Sequence, residues 1–201
     1  MTKFSIIILA AGESKRMGQA KQLLPIRGKS LLAWVAQKAL SLQAEKTIVV
    51  TGARQKAMDS VLKTMPLESI YAPDWKKGMG HSLASGLSYL FEKKVAYQGV
   101  MVLLVDQPAI MMDDHFLEEM LKKWRETPDR IVASQYGDRY GVPCIIPTPL
   151  TLGLLDPQGD QGARTLLNKG DKPILGIAAK NLHHDLDSPE DYQRFLAQLE
   201  A

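Results

Sequence analysis

The N-terminal loop that follows residues 6–10 combines glycine, small side chains and positive charge. Residues 6–10 form an apolar run rich in β-branched side chains, which predicts a strand buried on both faces. In the loop, Gly12 and Gly18 allow another group to approach the backbone, and successive N–H groups of such a turn form an anion-binding concavity. Arg16 and Lys21 add fixed positive charge. This combination suits a polyphosphate; the alternative interpretation is an ordinary basic surface loop.

Three carboxylates elsewhere in the chain could hold a cation. Asp106 follows residues 99–105, the most apolar predicted strand, which we expect to be central in its sheet. A carboxylate at the end of such a strand is costly to bury unless it is paired with a cation. Asp185 and Asp187 alternate with Leu186, so a strand would present both on one face. Converging carboxylates suit Mg²⁺, which one or two of them hold together with substrate phosphates. The alternative for Asp187 is a share in capping the terminal helix.

Composition limits the classes of protein to consider. With 201 residues, 45% hydrophobic and 23% charged, the chain is long enough for one sizeable core, so we expect a single domain. The formal net charge is +3 and the charges are interspersed, so nothing indicates a nucleic-acid partner. The single cysteine, Cys144, excludes internal disulfides and fits a reducing compartment. No cleavage-site pattern and no membrane-length apolar run is present, so we expect a cytoplasmic protein without membrane association.

Strands and helices are predicted to alternate through the first half of the chain. Successive βα units predict a parallel sheet with right-handed crossovers and helices on both faces. Ligands of such sheets lie beyond the carboxyl ends of the strands, which places Gly12, Thr51 and the loop after Tyr71 on one rim. The predicted strands are 6–10, 46–51, 69–71 and 99–105, and the predicted helices are 31–42 with Ser30 as N-cap, 54–64 and 81–92.

The second half is predicted to contain a hairpin over the pocket and the end of the sheet. A helix covers residues 113–125, its acidic residues first and basic residues last. Two strands, 130–136 and 144–147, are joined by a bend and predict a β-hairpin. A helix begins at about Gly162, strands cover 174–178 and 184–187, and a terminal helix begins at Ser188-Pro189.

The segment LAAGESKRMGQAKQLLP, residues 9–25, matches neither GxxxxGK[ST] nor GxGxxG. It resembles the signature loop of the sugar-nucleotide-type nucleotidyltransferases, and most closely the molybdenum cofactor cytidylyltransferase branch. Further segments resemble this family in the family's order: WKKGMGHSL at residues 75–83, DQP at 106–108, GVP at 141–143, GDQGAR at 159–164 and DLDSPEDY at 185–192.

This resemblance implies both a fold and a reaction. The fold is a Rossmann-like three-layer α/β/α sandwich with a mostly parallel, mixed central sheet, of the nucleotide-diphospho-sugar transferase type. Residues 1–201 would form one domain, with 1–108 binding the nucleotide and 109–201 the acceptor and the metal. The reaction is Mg²⁺-dependent transfer of CMP from CTP to molybdopterin with release of pyrophosphate, for use by an apo-molybdoenzyme. The alternatives are guanylyl transfer from GTP, cytidylyl transfer to a sugar or polyol phosphate, and a non-catalytic cofactor carrier.

The resemblance also implies roles for individual residues. CTP rather than GTP is indicated by Ala11, where relatives that use GTP tend to have glycine. The metal ligands are Asp106 and either Asp185 or Asp187. The catalytic residues are Arg16, Lys21 and Asp106; the nucleotide-binding residues are Leu9, Ala10, Ala11, Gly12, Ser14, Arg16, Lys21, Gly78 and Ser82; and the acceptor-binding residues are Gly141, Pro143 and Arg164.

Overall fold

A seven-stranded sheet runs through the centre of the computed structural model, which describes residues 2–113, 115–157, 162–168, 173–179 and 185–200. The first half contributes β1 (Phe4–Leu9), β2 (Pro25–Ile26), β3 (Lys29–Ser30), α1 (Leu31–Ser41), β4 (Lys46–Thr51), α2 (Gln55–Leu62), β5 (Glu68–Tyr71), α3 (Met79–Glu92) and β6 (Gly99–Leu104). The second half contributes α4 (Pro108–Met112), α5 (Phe116–Glu126), β7 (Ile131–Tyr136), β8 (Arg139–Pro147), α6 (Thr148–Thr151), α7 (Gly162–Asn168), β9 (Ile174–Ala178) and α8 (Pro189–Glu200).

The strand order β5-β4-β1-β6-β8-β7-β9 places β6 in the middle, as predicted for the most apolar strand. The strands β5, β4, β1 and β6 are mutually parallel, β8 is antiparallel to both β6 and β7, and β9 is parallel to β7. The sheet is therefore mostly parallel and mixed, which confirms the predicted fold class. The carboxyl ends of the four parallel strands meet at one rim.

Apolar side chains of the strands alternate between the two faces of the sheet. In β1, Ile6 and Ile8 belong to the core under α1, α2, α5 and α8, while Ile7 and Leu9 belong to the core under α3 and α7. All four are buried, which is why the run shows no polar alternation in the sequence. Helices on both faces give the three layers of an α/β/α sandwich.

The predicted helix caps are present. The Ser30 hydroxyl accepts a hydrogen bond from the Ala33 N–H at 3.2 Å and begins α1. Before α8, the Ser188 N–H donates to the Asp191 carboxylate at 2.9 Å, and the Asp191 N–H donates to the Ser188 hydroxyl at 3.2 Å. This reciprocal pair satisfies two N–H groups that the helix itself leaves unpaired.

Several predicted boundaries in the second half were wrong. Residues 185–187 are not a strand. The segment is attached beyond the end of the central strand β6 by the hydrogen bond from the Leu186 N–H to Asp106 O at 2.8 Å, and it does not continue the sheet. The short helices α4 and α6 were not predicted, and the helix expected from residue 113 begins at Phe116. Residues 139–143, expected to form a bend, belong to β8, which pairs with β7 across an irregularity at Ala133/Ser134. Among the described helices, none has the length and apolar character to cross a membrane.

Candidate functional site

The loop after β1 is fixed by hydrogen bonds from Gln22, which is buried and only 2% exposed. Its Nε2 donates to the carbonyl oxygens of Ala10 at 3.0 Å and Gly12 at 2.8 Å, and its Oε1 accepts from the Ser14 hydroxyl at 3.4 Å. Two carbonyl groups of the loop are thereby fixed from inside the protein. The loop is a preformed feature of the sheet rim.

The N–H groups of this loop remain available on its outer side. Within the described chain, the backbone N–H groups of Gly12, Glu13 and Ser14 donate no hydrogen bond to protein. Ser14 has a left-handed backbone with φ of 58°, after which Lys15–Met17 form a single 3₁₀ turn. Successive unpaired N–H groups beside lysine and arginine side chains can bind an anion such as a phosphate by donating hydrogen bonds to it.

Gly52, directly after β4, determines how closely the loop packs on the sheet. A Cβ at Gly52 would lie 2.6 Å from the Ala11 carbonyl oxygen and 2.8 Å from Cγ of Trp75. Such contacts are not tolerated, so only glycine lets Ala11 and Trp75 lie where they do. The Ala11 carbonyl also accepts the Ala53 N–H at 3.1 Å. The rim predicted from Gly12, Thr51 and the loop after Tyr71 is therefore present.

A concave pocket of about 720 Å³ lies between this loop and the start of α3. Eight of the nine predicted nucleotide-binding residues line it; the exception is Arg16, which points toward the C-terminal segment. Ser82 is buried in the first turns of α3. The lining residues are Leu9, Ala10, Ala11, Gly12, Glu13, Ser14, Lys15, Lys21, Gln22, Trp75, Lys76, Gly78, Met79, Ser82, Leu104, Val105 and Asp106.

A second pocket of about 480 Å³ adjoins the first and shares Leu9, Met79 and Leu104 with it. One wall is the β7–β8 hairpin, as predicted for the acceptor side, and the other walls come from α3, α7 and the ends of β1 and β6. Its surface is mainly apolar and aromatic. The lining residues are Leu9, Met79, Gly80, Leu83, Val102, Leu104, Gln107, Tyr136, Arg139, Tyr140, Gly141, Val142, Ala163, Leu167 and Asp185.

Charged side chains converge where the two pockets meet. Lys21 Nζ lies 2.5 Å from Asp106 Oδ2 and 3.2 Å from Asp187 Oδ1, and Arg16 lies 2.8 Å from Asp187 Oδ2. The side chains of Lys21 and Asp106 are largely shielded from solvent, at 16% and 19% exposed. We refer to Arg16, Lys21, Asp106, Asp185 and Asp187 as the charged cluster. It joins the signature loop to residues more than 160 positions away along the chain.

The pKa shifts in the charged cluster reflect this crowding. Burial lowers the pKa of Lys21, but its attraction to Asp106 and Asp187 outweighs burial and leaves the pKa above its ordinary 10.5. Lys21 is thus a stable cation at neutral pH. The pKa of Asp185 is raised above 3.8, first by desolvation of its carboxylate at the concave site and then by the negative charge of Asp106, while the nearby Gln107 amide acts in the opposite direction.

The oxygen ligands of the charged cluster fit a hard divalent cation. Three carboxylates face two cationic side chains, so one negative charge is not balanced. Among the described residues, no group of three or more His, Cys, Asp or Glu side chains is arranged to hold a metal ion. The chain therefore offers Asp106 with one further carboxylate, which suits a Mg²⁺-like ion whose other ligands come from substrate phosphates and water.

Asp185 and Asp187 should respond to substitution with opposite signs in the metal-free protein. Asp185→Asn removes a carboxylate whose ionisation is disfavoured in the fold, so the melting temperature at pH 7 should rise by about 1–3 °C. Asp187→Asn removes the partner of Lys21 and Arg16, so the melting temperature should fall by about 2–4 °C.

Calorimetry in EDTA at pH 7 and pH 4 measures both effects. Because the pKa of Asp185 is raised in the folded state, its ionisation does not destabilise the fold below pH 3.8 and does so as pH rises through the folded pKa. The rise in melting temperature caused by Asp185→Asn should therefore be smaller at pH 4 than at pH 7. Shifts of the same sign for both variants would contradict this distinction.

The predicted acceptor-binding residues have different positions. Gly141 lines the second pocket, and a Cβ there would lie 3.0 Å from the Tyr136 ring, so the absence of a side chain lets the ring lie against the strand. Pro143 is buried behind the wall, and its carbonyl accepts the Ser134 hydroxyl at 2.8 Å. Residues 159–161 and the Arg164 side chain lie outside the described residues. Cys144 is fully buried, which raises its pKa to about 12 and fits the predicted core role.

Four residues at the site were missed by the sequence analysis: Gln22, Gly52, Gln107 and Tyr136. Gln22 stands inside the signature segment, but only its burial reveals that it holds the loop. Gln107 follows Asp106 directly and was quoted only as part of the DQP segment, without a role, although it is 5% exposed and lines the second pocket. A buried glutamine must find partners for two donors and an acceptor, but its burial is known only from the fold, so the sequence alone carried no signal for these glutamines.

The chain is similar to a described protein family and to curated proteins of about its own length. The family model described as the MobA-like NTP transferase domain matches residues 6–174. Purine catabolism protein PucB of Bacillus subtilis (strain 168) is 28% identical over 199 residues, covering 92% of each chain. Nicotine blue oxidoreductase of Paenarthrobacter nicotinovorans is 29% identical over 203 residues, covering 94% of this chain and 95% of its own.

A solved structure shares the fold over nearly the whole chain. Rv0371c of Mycobacterium tuberculosis H37Rv, crystallised in complex with manganese, superposes with a TM-score of 0.79 and 23% identity. The superposition covers 98% of this chain and 99% of that one.

Proposed function

This chain belongs to the MobA-like NTP transferase family and is a nucleotidyltransferase, and we propose that it transfers CMP from CTP to the terminal phosphate of molybdopterin. The family relationship confirms the predicted resemblance. The choice of nucleotide, acceptor and metal is our proposal.

The observation that supports this reaction is the position of the charged cluster at the junction of two pockets. The larger pocket has the N–H groups of Gly12, Glu13 and Ser14 and could hold the triphosphate. The smaller, apolar and aromatic pocket could hold a planar acceptor. Two phosphorylated substrates bound in this way would bring their phosphates together beside Lys21 and Asp106.

The proposed chemistry is an in-line displacement without a protein nucleophile. An oxygen of the acceptor phosphate forms a bond to the α-phosphorus of CTP, the bond between that phosphorus and the α–β bridging oxygen breaks, and pyrophosphate leaves with that oxygen. The loop N–H groups would hold the triphosphate in place, and protonated Lys21 would balance the charge that develops on the leaving pyrophosphate. Arg16, bound to Asp187 at 2.8 Å, would position that carboxylate.

Asp106 and one of Asp185 and Asp187 would hold the divalent cation. Such a cation supplies charge neutralisation and orientation of the phosphates when it is bound. We propose Mg²⁺; the manganese in the Rv0371c complex belongs to that protein and is consistent with a divalent cation here. We also propose that residues 1–108 mainly bind the nucleotide and that 109–201 complete the acceptor and metal sites within a single domain.

Pyrophosphate release from CTP, GTP, ATP and UTP, with and without molybdopterin, tests the proposed function. We expect release that depends on both CTP and molybdopterin. Release with a sugar or polyol phosphate in its place would favour that alternative acceptor. Binding of molybdopterin without release from any triphosphate would indicate a carrier.

The preference for CTP over GTP should be about 10–200-fold in kcat/KM. The Ala11 methyl lies close to Gly52, and Ala11 lines the nucleotide pocket. A contact the size of one methyl group is worth about 1–3 kcal/mol. Ala11→Gly should therefore reduce the preference, whereas Ala57→Gly on the exposed face of α2 should not. Equal kcat/KM values for CTP and GTP in the wild type would refute the cytidylyl assignment and leave nucleotidyl transfer intact.

A further inference from the structure

Gln107 is the residue between the proposed metal ligand Asp106 and the start of α4, and it lines the smaller pocket. It is 5% exposed, and its Oε1 is a buried oxygen without a hydrogen-bond partner among the described residues. A buried amide oxygen that lacks a partner is costly unless another group supplies the hydrogen bond. We propose that Gln107 is a specificity-determining residue whose Oε1 accepts a hydrogen bond from a ring N–H of the acceptor.

The hydrogen bonds around Gln107 fix the orientation of its amide. The Tyr136 hydroxyl lies 2.6 Å from the Val142 carbonyl oxygen, which can only accept, so the single hydroxyl proton is used in that bond. Toward Gln107, 3.3 Å away, the Tyr136 oxygen must therefore accept, and Nε2 must be the donor. Burial raises the pKa of Tyr136 to about 12, so the hydroxyl keeps its proton at neutral pH.

Asp185 is compatible with the same orientation. It lines the same pocket as Gln107, and a carboxylate can be paired only with the NH₂ side of an amide. Rotating the Gln107 amide would place Oε1 against the Tyr136 oxygen, whose proton is already used in the bond to Val142. Oε1 is therefore left as an acceptor.

The surrounding pocket indicates which donor Oε1 would meet. Leu83, Val102 and Leu104 form apolar walls, and Tyr136 and Tyr140 add aromatic surface. A volume of about 480 Å³ is in the range of small-molecule sites. Apolar and aromatic walls with one buried acceptor suit a planar heteroaromatic ring that presents an N–H group. This inference rests on the proposed transfer to molybdopterin, whose pterin ring carries such groups.

Steady-state kinetics of the full-length protein with Mg²⁺, CTP and molybdopterin test the inference. Gln107→Met keeps the length of the side chain and removes its hydrogen bonds, so KM for molybdopterin should rise by about 10–100-fold. KM for CTP should stay within twofold, because Gln107 does not line the nucleotide pocket. Gln193→Met, an exposed position on α8, is the matched control.

Two more variants separate contact with the acceptor from support of the pocket. Gln107→Asn keeps the amide and withdraws it by one methylene, so KM for molybdopterin should also rise. This variant provides the measurement if Gln107→Met does not fold. Tyr136→Phe removes a partner of Nε2 and leaves Oε1 in place, so its effect should be smaller than that of Gln107→Met.

The outcomes are distinct. An unchanged KM for molybdopterin in both Gln107 variants, or an equal rise in KM for molybdopterin and CTP, would overturn the inference. A larger rise in KM for molybdopterin with Tyr136→Phe than with Gln107→Met would also overturn it, because Gln107 would then serve only to support Tyr136 in the β7–β8 hairpin. If the wild type releases no pyrophosphate with molybdopterin, the proposed function itself fails before any variant is compared.

Discussion

Asp106→Asn should lower metal-dependent pyrophosphate release by about 10³-fold while the protein remains folded. Asparagine keeps the size and shape of the side chain but removes the charge that a divalent cation and Lys21 share. Asp106 is the proposed ligand fixed at the end of the central strand, and its side chain is 19% exposed.

Turnover measured across a range of Mg²⁺ and Mn²⁺ concentrations checks this expectation. The apparent metal affinity should weaken together with kcat, and circular dichroism should show an unchanged fold. Asp129→Asn, an exposed carboxylate before β7, serves as the matched control and should behave like the wild type. A turnover within threefold of the wild type at saturating Mg²⁺ would remove Asp106 from the mechanism.

The strands of the parallel half were predictable because their burial leaves a direct mark in the sequence. Residues 46–51 were predicted with their observed bounds, and the centre of the sheet followed from the apolar run before Asp106. The bounds of 174–178 were also predicted, although that strand is only partly buried. Ser30 identified the start of α1 because a hydroxyl at that position satisfies a free N–H group. These features depend on local chemistry, which the sequence displays.

The segment before α8 was mispredicted because its alternating pattern has another physical cause. Asp185, Leu186 and Asp187 alternate as a strand would, yet only the Leu186 N–H makes a backbone bond to the end of β6, at Asp106 O. Leu186 is fully buried and anchors the segment, while the aspartates turn toward the charged cluster. One long-range anchor produced the pattern, and a single sequence cannot distinguish it from a strand.

The residues of the charged cluster were predicted, but the ion pairs between them were not. Lys21 and Arg16 were expected to face the triphosphate, whereas in the structure they bind the carboxylates of Asp106 and Asp187. These partners are 85 or more positions apart along the chain, so only the fold reveals that they meet. Buried glutamines such as Gln22 were missed for a similar reason, because their partners are backbone groups that carry no sequence signal.

Lys21→Ala should lower kcat by about 10²–10³-fold, comparable to the loss of one preorganised donor to a developing anion. The ammonium of Lys21 is 16% exposed and fixed by two carboxylates, so it is already in place when charge shifts toward pyrophosphate. The pKa of Lys21 is raised above 10.5, so its positive charge is present at lower pH and is lost only as pH rises through the pKa of the folded state. The kcat ratio between wild type and variant should therefore be constant from pH 6 to about pH 9.

The pairing of Lys21 with Asp106 and Asp187 admits a second role, in which the ammonium only balances the carboxylates until a metal binds. The two roles differ at saturating Mg²⁺. If Lys21 only balances charge, Lys21→Ala should bind Mn²⁺ more tightly in the absence of nucleotide and recover full turnover when metal is saturating. If Lys21 acts on the leaving group, metal affinity should rise while kcat stays low. Lys122→Ala, an exposed lysine on α5, is the control. We expect the second result, because neutralisation by a bound cation would add to neutralisation by the ammonium and would not replace it. Recovery of kcat to within threefold of the wild type would assign Lys21 to charge balance alone.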